Sequence, residues 1–166
     1  TKIFHNAQYD VGWLEAEGIK VNGDIVDTMI AAAIIDENRF SYSLNALSVD
    51  YLGEIKAETD LKAAAAAHGV DPKAEMWKLP AEHVGFYAEQ DARLTLLLWQ
   101  RFKQEIAQQS LTTVWELESK LLPILIKMRQ RGVRVEVERA ESLKKEMILQ
   151  EKKVLQEIKK VSGEEV

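Results

Sequence analysis

The chain has 166 residues, of which 46% are hydrophobic and 30% charged, and this composition fits one folded domain with part of another. It contains no cysteine, so a disulfide framework and thiolate metal sites are excluded, and a reducing cytoplasm is the expected compartment. Apolar runs all fall short of the ~20 residues that a membrane-spanning helix needs. We therefore expect a globular protein that does not enter a membrane.

The formal net charge is −5, although proteins that contact nucleic-acid phosphates usually carry an excess of lysine and arginine. The charge is unevenly distributed along the chain. Residues 1–119 hold 10 Lys+Arg against 19 Asp+Glu, whereas residues 120–166 hold 12 against 8. Because an acidic lobe can still attract phosphate through bound cations, the net charge leaves nucleic-acid chemistry open.

In the first half of the chain we expect short strands alternating with helices. Asp27 and Ser43 have the short polar side chains that cap helix N-termini, so Asp27 is interpreted as a cap rather than a metal ligand. The alanine run at residues 63–67 favours a surface helix or a lip, because alanine has high helix propensity and little volume to pack. In order, the predicted elements are a strand at Lys2–Phe4, a helix ended by Gly18, a strand at Ile25–Val26, and helices ending at Ile35, Gly53 and His68.

The second half is predicted to be almost entirely helical. Pro80 suits the first turn of a long helix that reaches about Gln108. Gly85 lies inside this helix, where a missing side chain would permit close approach of a backbone or a substrate, or a simple packing contact. The remaining predictions are a short turn from Asp71 to Trp77, a helix from Leu111 through Pro123 to Gly132, a strand at Val133–Val137, and a charged helix to about Lys160 with an exposed apolar stripe.

Two carboxylates share predicted helix faces with apolar residues. Tyr87 and Asp91 are four residues apart and lie on one face, and Asp10 lies on another. A buried carboxylate costs several kcal/mol unless a hydrogen bond, a proton or a metal ion compensates it. Two inward-facing acids on separate helices therefore indicate a divalent-metal site. The apolar companions are Leu94, Leu98 and Phe102 for Asp91, and Ala7, Val11 and Leu14 for Asp10.

The run Asn6-Ala-Gln-Tyr9-Asp10 resembles the second motif of proofreading 3'-5' exonucleases with four acidic residues and a tyrosine, and Tyr87-x-x-x-Asp91 resembles the third. The resemblance is closest to the exonuclease region of family A (DNA polymerase I-type) polymerases. It implies an α/β, ribonuclease H-like fold that is truncated, mainly helical and left with a remnant sheet. Residues 1–110 would be the exonuclease domain, and residues 111–166 would begin the polymerase domain.

The resemblance also implies a chemistry, namely removal of 3'-terminal nucleotides from DNA by hydrolysis with two Mg²⁺ or Mn²⁺ ions. Asp91 would bind the ion that activates water, Asp10 would hold the second ion directly or through water, Tyr87 would orient the attacking water, and Asn6 would contact the terminal nucleotide or brace the site. The implied partners are single-stranded 3' ends, primer–template DNA and the remainder of the polymerase chain. The activity would serve proofreading in DNA replication or repair, in a bacterial or virus-infected cell.

The first motif of that family, D-x-E, supplies two of the four carboxylates and is not found ahead of Asn6. We interpret this as truncation of a longer polymerase, and we expect the chain alone to be nearly inactive. Glu136-Val-Glu138 has similar spacing, but it is interpreted as a solvated pair. The related histidine class places histidine where this chain has Phe86, so the tyrosine class fits better.

Other interpretations stay open. His5, His68 and His83 lack the spacing of a ligand cluster, and Tyr9 and Trp13 fit core or rim positions better than base-stacking platforms. A rival function is a non-catalytic nucleic-acid-binding or scaffold module of a polymerase. A further alternative is a ribonuclease D-like 3'-5' exoribonuclease, although residues 118–166 look more like a polymerase lead-in than an RNA-binding appendage.

Overall fold

The computed structural model describes residues 1–55 and 58–163. Two short strands, β1 (Lys2–Phe4) and β2 (Ile25–Asp27), pair in parallel with Ile3 opposite Val26. A parallel pair requires a crossover connection, and the helix α1 (Ala7–Ala16) supplies it. Both strands were predicted within a residue of their observed bounds.

Helices make up most of the rest. The helices are α2 (Thr28–Ile35), α3 (Leu44–Leu52), α4 (Thr59–His68), a 3-10 turn (Met76–Lys78), α5 (Ala81–Gln108), α6 (Thr112–Arg131) and α7 (Val137–Ser162). Asp27 and Ser43 cap α2 and α3 as predicted, since their side chains accept hydrogen bonds from the backbone nitrogens of Met29 (2.9 Å) and Ala46 (3.3 Å). The C-terminal ends of α3 and α4 are followed by Gly53 and Gly69 in the left-handed conformation.

The main core forms around α5. Leu94, Leu98 and Phe102 are fully buried and pack with buried residues of α2 and α3. The ring of Phe102 meets that of Tyr51 edge to face, with 4.9 Å between the ring centroids. The apolar face predicted to continue from Asp91 is therefore the face that fixes α5 in the molecule.

A second cluster joins α1 to α6. Ala7 and Val11 pack against Leu122 and Ile126, and all four side chains are buried. The chain divides into two compact units, one comprising Thr1–Gln130 and the other Arg131–Val166. Most of α6 therefore belongs to the first structural unit. The predicted boundary after residue 110 separates two families of domain rather than two packed units, and it stays a prediction.

The alanine run forms the surface helix α4, as predicted, and only its inner side is buried. Leu61 and Ala65 on that side pack with Leu79, and the ring of Tyr87 packs against the same cluster. Small alanine side chains allow α4 to lie close to α5 along one side.

Three local predictions need correction. Residues 132–136 form an exposed link rather than the predicted strand, because no neighbouring strand is present in the described part of the second unit to accept its hydrogen bonds. Pro80 occupies the position just before α5 rather than its first turn. A methyl group at Gly85 would meet no described protein atom within 4 Å, so neither a close backbone approach nor a packing contact is found there, and approach of a substrate stays a prediction.

The helix α7 has exposed side chains along the whole of its described length, as expected for its apolar stripe. Among the described residues, no helix has both the length and the apolar character required to cross a membrane.

Candidate functional site

The two predicted acids lie on the wall of one pocket, whose volume is about 960 Å³. Asp10 reaches it from α1 and Asp91 from α5, and Asn6 lies at the same pocket. These three residues were chosen from two motifs about eighty residues apart, so their meeting in one concave site is the main agreement between sequence and structure. The other lining side chains used below are His5, Tyr9, Trp13 and Thr95.

A buried carboxylate, Asp27, joins the two segments that carry Asn6 and Met29 to the pocket wall. It is only 3% exposed and accepts backbone N–H groups from Asn6 (3.0 Å), Ala7 (2.7 Å) and Met29 (2.9 Å). It therefore caps the N-termini of both α1 and α2. The sequence indicated the cap on α2, but the clamp on α1 arises from pairing of β1 with β2 and could not be read from local spacing.

Asp10 is solvent-exposed, so the prediction that it faces inward was wrong. The residues on the face that does turn inward are Ala7 and Val11. The Asp10 carboxyl nevertheless lies in the pocket, and its pKa is raised above the ordinary value. The larger cause is partial desolvation, and the smaller one is repulsion from the Asp27 carboxylate. A nearby cation would relieve both effects, because it would favour the ionised form.

Asp91 is half-buried, and its Oδ1 atom has almost no contact with solvent. It precedes the buried residues Leu94 and Thr95 by about one turn of α5. The Thr95 hydroxyl donates a hydrogen bond to the backbone oxygen of Asp91 at 2.8 Å. Asp91 therefore lies at the boundary between the core and the pocket.

Asn6 has a structural role that competes with its predicted substrate role. Its backbone is left-handed, with φ 67° and ψ 53°, at the position just before α1. Asparagine tolerates this conformation better than most other residues with a side chain. Asn6 is also exposed at the pocket, so its amide remains accessible to a ligand.

Tyr87 lies one turn before Asp91 on α5, but the described residues that line the pocket do not include it. Its ring is half-buried and packs against Leu61, Ala65 and Leu79. A role for its hydroxyl at the site therefore stays a prediction.

His5 lies at the pocket and was not predicted to contribute to the site. The Thr28 hydroxyl donates to the backbone oxygen of Phe4 (3.1 Å), so its oxygen is left to accept from His5 Nδ1 at 2.9 Å. This arrangement sets the tautomer and the orientation of the imidazole. A lone histidine between a strand and a helix carries too little sequence signal to have been selected.

The donor set fits a hard divalent cation only in part. Carboxylate oxygens are the ligands that Mg²⁺ and Mn²⁺ prefer, and the pocket presents two of them. Within residues 1–55 and 58–163, however, no three His, Asp or Glu side chains gather closely enough to hold a metal ion. The pocket therefore presents two carboxylates, whereas the family that the motifs resemble uses four, and a metal-binding role for Asp10 and Asp91 stays a prediction.

Comparison with known proteins identifies the class. A family model described as 3'-5' exonuclease matches residues 1–107, the part of the chain that contains the whole pocket. The chain therefore belongs to the 3'-5' exonuclease family of family A DNA polymerases.

Individual relatives are DNA polymerases of phages and bacteria. The chain is 39% identical over 163 residues to a DNA-directed DNA polymerase of Pseudomonas phage M6, covering 97% of this chain and 24% of that protein. It is 35% identical over 144 residues to DNA polymerase DpoZ of Salmonella phage PMBT28, covering 83% and 23%. It is 30% identical over 136 residues to DNA polymerase I of Rhizobium leguminosarum, covering 81% and 13%. The chain thus spans about a quarter of the length of these phage relatives.

Proposed function

We propose that this chain is part of a DNA polymerase and contributes Asp10 and Asp91 to a site that removes nucleotides from DNA 3' ends. The observation that carries the proposal is the placement of these two motif carboxylates on a single pocket. The matching family and the polymerase relatives support the same activity and a proofreading role. We also propose that the domain has a ribonuclease H-like fold, in which further strands pair beside β1.

Divalent cations, when bound at such a site, neutralise phosphate charge and make water a stronger nucleophile. The chain's own contribution would be to bind the cations through its carboxylates and to position the DNA strand. Asp91 would provide a half-buried carboxylate at the inner wall of the pocket, and Asp10 would provide an exposed one that a cation or the strand can reach directly. Tyr87 would orient the attacking water, and the Asn6 amide would contact the terminal nucleotide.

Two carboxylates are too few for full activity, so we propose that the 166-residue chain alone is nearly inactive. The missing pair would come from a D-x-E segment preceding Thr1 in a longer polypeptide. Since the phage relatives are about four times as long as the matched region, primer–template DNA and the rest of a polymerase chain are the proposed partners.

The test is hydrolysis of a 3'-labelled single DNA strand in Mg²⁺, by a longer polypeptide in which a D-x-E segment precedes Thr1. We expect release of the terminal nucleotide, and a loss of at least about 100-fold in rate for Asp91→Ala and Asp10→Ala, because each removes charge that is needed in the transition state. Asp60→Ala, on the exposed start of α4, is the matched control and should leave the rate unchanged.

A rate unaffected by Asp91→Ala would refute the assignment of the site. No hydrolysis by the longer polypeptide would favour the rival function, a non-catalytic scaffold module. The observation that supports this rival is that, within the described part of the chain, no three His, Asp or Glu side chains come close enough to hold a metal ion.

A further inference from the structure

Two large aromatic side chains beside the carboxylates are exposed to solvent. Tyr9 is 53% exposed and Trp13 is 60% exposed, and their rings meet edge to face with centroids 6.4 Å apart. The sequence-based interpretation allowed core or rim positions for both residues, and the structure places them at the rim. An exposed aromatic ring beside a pocket offers its face to a planar group of a ligand that enters the pocket.

The pair forms a ridge between two concave surfaces. On one side is the pocket that contains Asp10 and Asp91. On the other is a smaller pocket of about 300 Å³, lined by the same two rings and by Arg129 and Gln130 of α6. The ridge therefore has carboxylates on one side and a guanidinium group on the other.

This ridge is held in place by the elements beneath it. Val11, which lies between Tyr9 and Trp13 in the sequence, is buried and packs against Leu122 and Ile126 of α6. The side chain of Gln130 donates a hydrogen bond to Glu15 at 2.6 Å. Because α1 is fixed to α6 in this way, the two rings and Arg129 form one preorganised surface.

We propose that Trp13, supported edge-on by Tyr9, is a stacking platform for a base of a single-stranded nucleic acid, and that Arg129 contacts a phosphate of the same strand. The inference rests on the proposed function, since the 3' end of that strand would lie against Asp10 and Asp91. The inference adds to the proposed function the residues that hold the strand next to the carboxylates.

The spacing along α1 suits this arrangement. Trp13 follows Asp10 by three residues, a rise of about 4.5 Å along the helix axis. This is less than the length of one nucleotide, so a strand with a phosphate near Asp10 brings a neighbouring base within reach of Trp13. Aromatic stacking tolerates any base, as an exonuclease that accepts every sequence requires.

The test measures, by fluorescence anisotropy, the binding of a fluorescent single-stranded oligothymidylate to the chain. EDTA is present throughout, so that divalent metal ions are removed and the strand is not cleaved. Trp13→Ala should weaken binding about tenfold, because stacking on one aromatic ring contributes on this scale. Trp13→Phe should bind within about threefold of the unaltered chain. Trp77→Ala is the matched control, since Trp77 is even more exposed, at 79%, and lies away from both pockets.

Two further readouts separate stacking from a structural effect. Tryptophan fluorescence should be quenched by the strand in the unaltered chain and in Trp77→Phe, but much less in Trp13→Phe. An abasic strand of the same length should bind equally to the unaltered chain and to Trp13→Ala, because it offers no base to stack.

Arg129→Gln should lower the slope of log affinity against log salt concentration by about one, as expected for loss of one phosphate contact. Lys127→Gln is the control, because residues two apart on a helix point in different directions.

Equal affinities for Trp13→Ala and Trp77→Ala would overturn the platform, and so would a lack of measurable binding by the unaltered chain. These outcomes are distinguishable from failure of the proposed function, which is judged by the dependence of Mg²⁺-driven hydrolysis on Asp10 and Asp91. If hydrolysis depends on both acids but Trp13→Ala binds normally, only the platform is wrong.

Discussion

Replacement of Asp27 is the sharpest test of how the fold holds the site. Asp27→Ala removes three hydrogen bonds, those from the backbone nitrogens of Asn6, Ala7 and Met29. At about 1 kcal/mol for each bond, the free energy of unfolding should fall by about 3 kcal/mol. The loss is larger than for an ordinary cap because one carboxylate serves the N-termini of two helices.

Asp27→Asn should have an intermediate effect. The Oδ1 atom accepts from Asn6 and Met29, whereas Oδ2 accepts from Ala7. An asparagine can keep the first two bonds, but its amide nitrogen would face the N–H group of Ala7, so we expect a loss of about 1–2 kcal/mol.

Urea unfolding followed by circular dichroism measures both effects. Ser43→Ala is the matched control, since Ser43 accepts one backbone bond, from Ala46, at the start of a single helix. It should cost about 1 kcal/mol. If Asp27→Ala costs no more than Ser43→Ala, the double clamp does not contribute to stability and the reasoning fails.

Three further predictions concern stability. Phe102→Ala should cost about 3–5 kcal/mol because the ring is fully buried, whereas Phe86→Ala, at a 60% exposed position, should change stability by less than about 0.5 kcal/mol; similar losses would contradict the assigned core. Gly85→Ala should stabilise the chain by about 0.5–1 kcal/mol in thermal unfolding, since a methyl group meets open space on a helix, and destabilisation would reveal an unseen contact. Hydrogen bonds from the backbone nitrogens of Ala74 and Lys73 lower the pKa of Asp71 below its ordinary value of 3.8. The ionised Asp71 therefore stabilises the folded chain at pH values above 3.8, and this stabilisation is lost as the pH falls through the lower pKa of the folded state. Asp71→Ala should therefore lower the urea midpoint near neutral pH but not in strong acid, and a pH-independent difference would contradict the assignment.

Local patterns were sufficient to predict most elements. Asp27 and Ser43 signalled helix starts through capping chemistry, and the apolar spacing of Leu94, Leu98 and Phe102 indicated the buried face of α5. These signals act within one or two helical turns, so they are readable without tertiary information. The predicted strand at Val133–Val137 failed because alternation alone does not make a strand when no partner strand lies beside it.

The sequence motifs selected residues that lie on one pocket, but not the way in which the fold presents them. The motifs indicated Asp10 and Asp91, and the structure brings both to one pocket. That Asp10 would be exposed, and that Tyr87 would pack against α4, depended on the orientation of α1 and α5. Those orientations are set by contacts between distant parts of the chain, such as Val11 with Ile126, which spacing does not report.

The central claim is that Asp10 and Asp91 together form one cation-binding pocket. The most direct measurement is paramagnetic broadening of backbone amide NMR signals on titration of the chain with Mn²⁺, which detects even weak binding. We predict that the signals of Asp10 and Asp91 broaden together at the lowest Mn²⁺ concentrations, and that Asp91→Asn and Asp10→Asn each raise the Mn²⁺ concentration needed to broaden both signals. Broadening of both signals that is unchanged in Asp91→Asn and in Asp10→Asn would mean that these carboxylates do not bind cations at the pocket, and it would contradict the account.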